Sequence, residues 1–235
     1  MRKLFNRIKH LYKKFPSLTR TILVNLYYLP LKDAIKFPIF VGRGVSINCL
    51  GNRNSVIVRK ISRGSVCLGI GNGSYNLGKK QKSFFEIDGN GQIVFEGSCT
   101  ISKGFKIHVR HDSQLSIGNG FSANANCMVC CDEKITIGND VMLGWNVSIM
   151  DTDLHRLYDE DDNYYNKPSA VNIGHHVWVA SGATVLKGCK VPDGVVIARN
   201  SVVTKSVQKT NCVVAGNPSQ IVKSCITWSR DLCKE

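Results

Sequence analysis

A mainly β fold, a solenoid of stacked parallel strands, is what this chain predicts, and three observations predict it. From Ile173 to Val207 an aliphatic residue stands at every sixth position: Ile173, Val179, Val185, Val191, Ile197 and Val203. Four residues after each comes a smaller or branched one: Val177, Ala183, Cys189, Val195, Ser201 and Val207. The phrase Ile-Gly-x-x-Val/Phe recurs at Ile117, Ile137 and Ile173. A period of six matches neither the 3.6 residues of a helix turn nor the two of a strand pleat. It matches a chain wound into three-walled coils that stack on one another, a parallel β-helix. The aliphatic residue fills the prism and the small one lets the chain turn a corner, so bulky or polar groups are expected at neither place.

The elements follow in order. Residues 1–40 carry nine cations (Arg2, Lys3, Arg7, Lys9, Lys13, Lys14, Arg20, Lys32 and Lys36) against Asp33, so +8 of the net +14 lies in the first sixth of the 235 residues. Leu4, Phe5, Ile8, Leu11, Tyr12 and Phe15 recur at helical spacing between these cations. They predict an amphipathic helix suited to an anionic membrane face or to covering the open end of the coils. The apolar run from Thr21 to Leu31 is broken by Asn25 and Pro30 and is too short to span a bilayer or to read as a secretory signal. The expected location is cytoplasmic, peripheral on the inner face of the membrane.

Residues 41–210 are the solenoid. The period of six reaches upstream through Ile87, Ile93, Cys99 and Phe105, and through Phe95, Ile101 and Ile107. Roughly eight coils fit between Val41 and Val207, about 40 Å at ~4.8 Å per coil. The Ile-Gly phrases predict a single slip of register near Cys131 to Lys134. They also predict one extruded loop, the polar run 151–170 with its Asp159-Glu-Asp-Asp-Asn-Tyr-Tyr165 stretch. Residues 211–235 close the column. Ten scattered cysteines form no coupled CxxC pairs, and Cys99 and Cys189 fall at interior positions; reduced thiols acting as small apolar fillers are expected, with no disulfide or metal.

The chemistry concentrates at the root of the loop, Asp151-Thr152-Asp153-Leu154-His155. A histidine there can accept a proton from a hydroxyl while a neighbouring carboxylate fixes its tautomer. No serine or cysteine is paired with it in a nucleophile elbow, which favours direct attack by a substrate hydroxyl over a covalent intermediate.

From about Ile117 to Lys223 the chain resembles the hexapeptide-repeat O-acetyltransferases, which act on galactosides, maltose, serine and bacterial surface polysaccharides. The phrases that carry the resemblance are Ile173-Gly-His-His-Val-Trp-Val-Ala-Ser-Gly, Val202-Val-Thr-Lys-Ser-Val and Val214-Ala-Gly-Asn-Pro-Ser-Gln-Ile-Val-Lys, together with the Asp-x-Asp-x-His loop. The resemblance implies a left-handed parallel β-helix, a homotrimer, and acetyl-CoA lying in the groove between neighbouring prisms. It implies that His155 is the general base, flanked by Asp151 and Asp153, and that Asn126 faces the same site to bind the acceptor or the oxyanion. Trp178 and Ser181 correspond to positions beside the pantetheine arm, the backbone of Ala198 and Arg199 to contacts with its amides, and Thr204 and Lys205 to contacts with the nucleotide. Lys205, Lys209 and Lys223 suit its phosphates. Three places depart from the family pattern: Val179-Ala180, the bulky Arg199 within Ala198-Arg199-Asn200, and the stretch Gln220 to Lys223, which lacks the usual arginine. The implied acceptor is a sugar or glycan hydroxyl.

Two other classes compete. A zinc hydrolase resembling the γ carbonic anhydrases would draw on His108 and His111, or on His175 and His176. The two adjacent histidines, however, point to opposite faces of a strand, and His111 falls in the interior series, as a buried histidine. A non-catalytic scaffold would give His155 no task. Nucleic acid is not an expected partner, because the cations cluster in the amphipathic segment without aromatic stacking positions on the coils.

Overall fold

The computed structural model describes residues 16–71 and 81–231, and the chain winds there into three walls of parallel strands. Wall A stacks eight parallel strands from Ile39–Val41 to Cys212–Gly216, then ends on the antiparallel strand Ser219–Ser224. Wall B stacks seven from Val45–Leu50 to Val202–Val203, and wall C six from Val56–Val58 to Lys190–Val191. The six aliphatic residues of the repeat are all buried, and so are Val177, Ala183, Cys189, Val195 and Ser201 at the corners. Ser201 is the polar exception, and its buried hydroxyl accepts a hydrogen bond from the Gly216 N–H.

Register shows where the period of six holds. Thr100, Ser122, Met142, Trp178 and Val196 lie side by side on wall A. Their counterparts six residues on, Lys106, Met128, Ser148, Thr184 and Val202, lie side by side on wall B. The crossing from wall C to wall A is equally regular, since Val94, Ser116, Thr136, Asn172 and Lys190 each stand six residues before a member of the wall A row. From Thr100 onward only the edge from wall B to wall C varies, whereas earlier the other two edges also carry extra chain, with ten residues from Ile57 to Cys67 and 17 from Cys67 to Phe84. The B-to-C edge takes ten residues from Phe84 to Val94 and from Lys106 to Ser116, and eight from Met128 to Thr136. It then takes 24 from Ser148 to Asn172, and six from Thr184 to Lys190.

The expected single slip near Cys131 to Lys134 is therefore a correction. The eight-residue crossing is there, but the two coils before it also carry four extra residues each, at the same edge. From Phe84 onward every excess over six at this edge is an even number, because an odd one would turn the interior side chains of the next wall outward. That parity let Ile87 and Ile93 mimic an unbroken repeat. The first coil takes 11 residues from Ser46 to Ile57, and a register shift between Ile47 and Leu50 absorbs the odd one.

Glycine in the Ile-Gly phrase has a steric cause. A Cβ on Gly118 would lie 2.3 Å from the Gly138 carbonyl oxygen, and one on Gly138 would lie 2.5 Å from that of Gly174. The coils approach too closely there for any side chain.

Two helices close the N-terminal end, α1 (Leu18–Tyr28) and the short α2 (Leu31–Ala34). Helix α1 turns Thr21, Val24, Asn25 and Tyr28 onto the end of the column. Asn25 stands in for the missing next strand: its amide donates to the Ile39 carbonyl and accepts from the Ile39 N–H, at 2.7 and 3.1 Å. The Thr21 hydroxyl accepts from the Val41 N–H at 3.1 Å. Thus the edge strand is satisfied by side chains, which protects it from pairing with another chain. The predicted helix through Leu4 to Phe15 lies outside the described residues. No helix among the described residues is long and apolar enough to cross a membrane.

Candidate active site

The extruded loop leaves wall B after Met150 and rejoins wall C at Val171. Its root is held from several sides. Asp151 is fully buried and accepts from the backbone N–H groups of Asp132 and Glu133, at 2.7 and 2.9 Å, so it ties the root to the preceding coil. The Thr152 hydroxyl donates to Asp132 and accepts from the Leu154 N–H. Leu154 itself sits at φ 64°, a left-handed conformation that a branched side chain adopts only when its surroundings impose it. Asp153 accepts from Lys187 Nζ at 2.5 Å and Asn166 Nδ2 at 2.8 Å, and the same Asn166 group donates to the His155 carbonyl. The Lys187 hydrogen bond, opposed by partial desolvation and aided by Asn166, holds the Asp153 carboxyl below the usual aspartate range.

Neither Asp151 nor Asp153 reaches the His155 ring. Both spend their oxygens on the backbone and on Asn166 and Lys187. The ring is exposed and makes no hydrogen bond to any described residue, so the turn is fixed while the imidazole stays available. Sequence reasoning missed Asn166 and Lys187; the one signal for Asn166 was a lone amide within a polar run, and Lys187 belongs to the next coil.

The other candidates divide between two edges of wall B. Asn126, Ser181, Ala198 and Arg199 lie along the edge from wall A to wall B. At that edge Gly104, Asn126, Asn146, Gly182 and Asn200 form a ladder of positive φ between 57° and 78°. Asparagine is one of the few residues that tolerate this conformation, which by itself accounts for its presence at 126. The Ser181 hydroxyl accepts from the Trp145 N–H, Ala198 bonds through its backbone to Val214, and Arg199 is exposed. Thr204 and Lys205 lie across the wall on the loop's edge, Lys205 18 residues after Lys187, and line a cavity of about 330 Å³ with residues of the closing hairpin. Lys223 is exposed on that hairpin. Trp178 stands on the outer face of wall A, 6.0 Å from the ring of Trp228. Within one chain, then, His155 and Asn126 are separated by a wall's width, on the order of 20 Å for six extended residues.

Two adjoining cavities, of about 620 and 310 Å³, cross the outer face of wall B between these edges and share Phe84, Lys106 and Met128. Asn126 and Lys82 line the first, and Leu154 and His108 the second. His108 Nε2 lies 2.6 Å from an Asp88 carboxylate oxygen. The rival zinc ligands do not converge. His111 is exposed on a turn at φ 47°, which corrects the expectation of a buried ring: it occupies the variable B-to-C edge, where the interior series does not run. His175 accepts from the Asn139 N–H, whereas His176 pairs with Asp140 and stacks on Trp228 at 4.2 Å. Among the described residues no group of three or more metal-ligating side chains occurs. Cys67, Cys99, Cys127, Cys130, Cys131, Cys189, Cys212 and Cys225 are free, and burial pushes the Cys130 thiol up to about 11 and Cys127 to about 12, so neither of those two is a thiolate nucleophile near neutral pH.

No protein-family model matches the chain. The polysialic acid O-acetyltransferase of Neisseria meningitidis is 31% identical over 188 residues, covering 79% of this chain and 80% of that protein. The galactoside O-acetyltransferase of Escherichia coli K12 is 30% identical over 119 residues, 50% of this chain and 57% of that protein, so the chain spans little more than half of its length. The crystal structure of the polySia specific acetyltransferase NeuO superposes with a TM-score of 0.55 at 25% identity, covering 82% of this chain and 85% of that one. A period-six column with a histidine loop on one edge, matched over four fifths of a relative, defines the class: this chain belongs to the hexapeptide-repeat O-acetyltransferases, and its fold is the left-handed parallel β-helix.

Proposed function

We propose that this protein transfers an acetyl group from acetyl-CoA to a sugar hydroxyl of a surface polysaccharide or its precursor, with His155 as general base. The observation that carries the proposal is the loop root, where both aspartate carboxylates, the Thr152 hydroxyl and the His155 N–H and carbonyl are tied down while the imidazole is open. The His155 ring takes the proton of the acceptor hydroxyl as its oxygen attacks, then returns it to the departing thiolate. Acetyl-CoA supplies the activated carbonyl and the thiol leaving group. The residues present suit it: Lys205, Lys209 and Lys223 have no acidic partner among the described residues, and the exposed coil edge at Ser181, Ala198 and Arg199 offers backbone groups to a chain with two amides. The acceptor lies in the trench across wall B, against His108 and Asn126.

The separation of His155 from Asn126 supports a homotrimer, in which one prism's loop edge meets the next prism's opposite edge. A cytoplasmic location with residues 1–40 against the membrane completes the reading. The test is to supply acetyl-CoA with p-nitrophenyl galactoside, oligosialic acid and lipid-linked glycans and to measure free thiol. Release of thiol above the acceptor-free rate supports the proposal, and its absence with every acceptor refutes it.

A further inference from the structure

Helix α1 is apolar on both sides, and only one side is used. Thr21, Val24, Asn25 and Tyr28 face the column, while Leu18, Leu23 and Leu26 on the other side are 72%, 52% and 52% exposed, with Ile22 beside them. Leu31 and Ile35, just beyond, are 69% and 61% exposed. Six large aliphatic side chains thus gather at one end of the molecule, where isolated ones would be ordinary. A groove of about 560 Å³ runs along Ile22, Leu23, Leu26 and Tyr27 and is rimmed by Arg53. Arg20, Lys32 and Lys36 also border the patch; Asp33, the one acid of the two helices, is paired with Lys36 at 3.4 Å.

We infer that this outer face of α1, with Leu31 and Ile35, seats the column end-on upon an anionic lipid bilayer. The inference deepens the membrane contact proposed above by naming the face and the orientation. Charge complementarity selects the occupant: an aliphatic strip ringed by cations matches an apolar layer beneath anionic headgroups, whereas a second copy of this chain would set like-charged rims against each other. Six further cations precede α1 in the sequence, within residues 1–14. Strand Ser148–Met150, from which the His155 loop departs, lies four steps above Val45–Leu50 on wall B. At ~4.8 Å per step the loop stands about 20 Å above that first strand and, with the roughly 10 Å width of α1 beneath, about 30 Å above the membrane surface, level with the outer sugars of a glycan held on a lipid carrier.

The test uses the full chain, with Ile22→Gln/Leu26→Gln as the variant, because both side chains point away from the column and leave its contacts intact. Sedimentation with vesicles of phosphatidylcholine alone and with about 30% phosphatidylglycerol measures binding, and light scattering measures oligomer mass. The wild type is expected to bind the anionic vesicles preferentially, and the variant to partition at least tenfold less, with unchanged mass and unchanged turnover of a soluble acceptor. Equal binding of variant and wild type, or no preference for anionic lipid, overturns the inference. A change in oligomer mass assigns the face to subunit packing and overturns it too. Failure of the wild type to turn over any acceptor would strike the catalytic proposal and leave the vesicle result standing.

Discussion

Two edges of the prism keep a strict six-residue crossing from Thr100 to Val202, while the third absorbs excesses of four, four, two and eighteen residues. The regular edges are bound by packing: glycines touch the backbone of the next coil, and a ladder of left-handed residues repeats at every level. The variable edge has no such ladder running its full length, so chain can be added in even increments without disturbing the interior. The extruded loop sits where insertion is free. The candidates Asp153, His155, Lys187 and Lys205 lie along that edge, whereas Asn126, Ser181, Ala198 and Arg199 lie on a regular one. A solenoid can thus carry a long insertion at one edge while the packing of the other two is kept.

The sharpest way to break this contrast is at the histidine loop. His155→Ala is expected to lower kcat by at least ~100-fold, the scale of a lost general base, with coenzyme A binding and Tm unchanged. Because the ring is exposed and makes no hydrogen bond to any described residue, a large fall in Tm would show that it serves packing instead. Near-normal turnover would remove the base from His155.

The converse experiment strikes a regular edge. Gly138→Ala puts a Cβ 2.5 Å from a backbone oxygen that cannot move aside, whereas at Gly188, on the variable edge, the nearest atom is the Ser169 hydroxyl at 3.2 Å. Overpacking at Gly138 is expected to cost roughly 1–3 kcal/mol, which lowers Tm by about 2–4 °C per kcal/mol in a chain of this size. Gly188→Ala, strained by its own φ of 73° but less crowded, is expected to cost less. Equal losses in thermal scans would erase the distinction between the edges.

The same distinction explains what the sequence disclosed. The repeat from Ile173 to Val207 was legible because interior residues on two edges permit little variation. The extra residues upstream were not, because even-numbered insertions preserve the alternation that a periodicity search reads. At the site, His155 stood out by its place in a loop, but the roles of Asp151 and Asp153 did not: proximity in sequence suggested contact with the ring, and the folded turn directs both carboxylates elsewhere. Lys187 and Asp88 were illegible because they act across coils, at separations set by the variable edge. His111 was misread for the same reason. The α1 cap was partly legible, since Asn25 looked like a break in an apolar run and proved to be the residue that pairs with the edge strand.

Lys187→Ala sharpens the comparison at the loop root. The folded Asp153 carboxyl titrates below its unfolded value, first because of Lys187. Its anchoring contribution is therefore present above the ordinary aspartate pKa and is lost as pH falls through the depressed folded value. Removing Lys187 raises that folded value, so acid loss of activity should begin at a higher pH than in the wild type. At neutral pH kcat is expected to fall about tenfold, the scale of one charge-assisted hydrogen bond. An unshifted acid limb would mean that Asn166 alone holds the turn.

The smallest expected effect lies in the trench. His108 shares a cavity with Leu154, the residue beside His155, and Asp88 holds its ring through Nε2, so that Nδ1 can meet the hydroxyl of the proposed acceptor. His108→Gln is expected to raise the acceptor KM about three- to tenfold, the worth of one neutral hydrogen bond of ~0.5–1.5 kcal/mol, with kcat and the KM for acetyl-CoA unchanged. Asp88→Asn should reproduce part of the effect, because it frees the ring to rotate without removing it. A fall in kcat instead would make His108 part of the proton path; an unchanged acceptor KM would place the acceptor off wall B, on the side of the loop that faces a neighbouring prism.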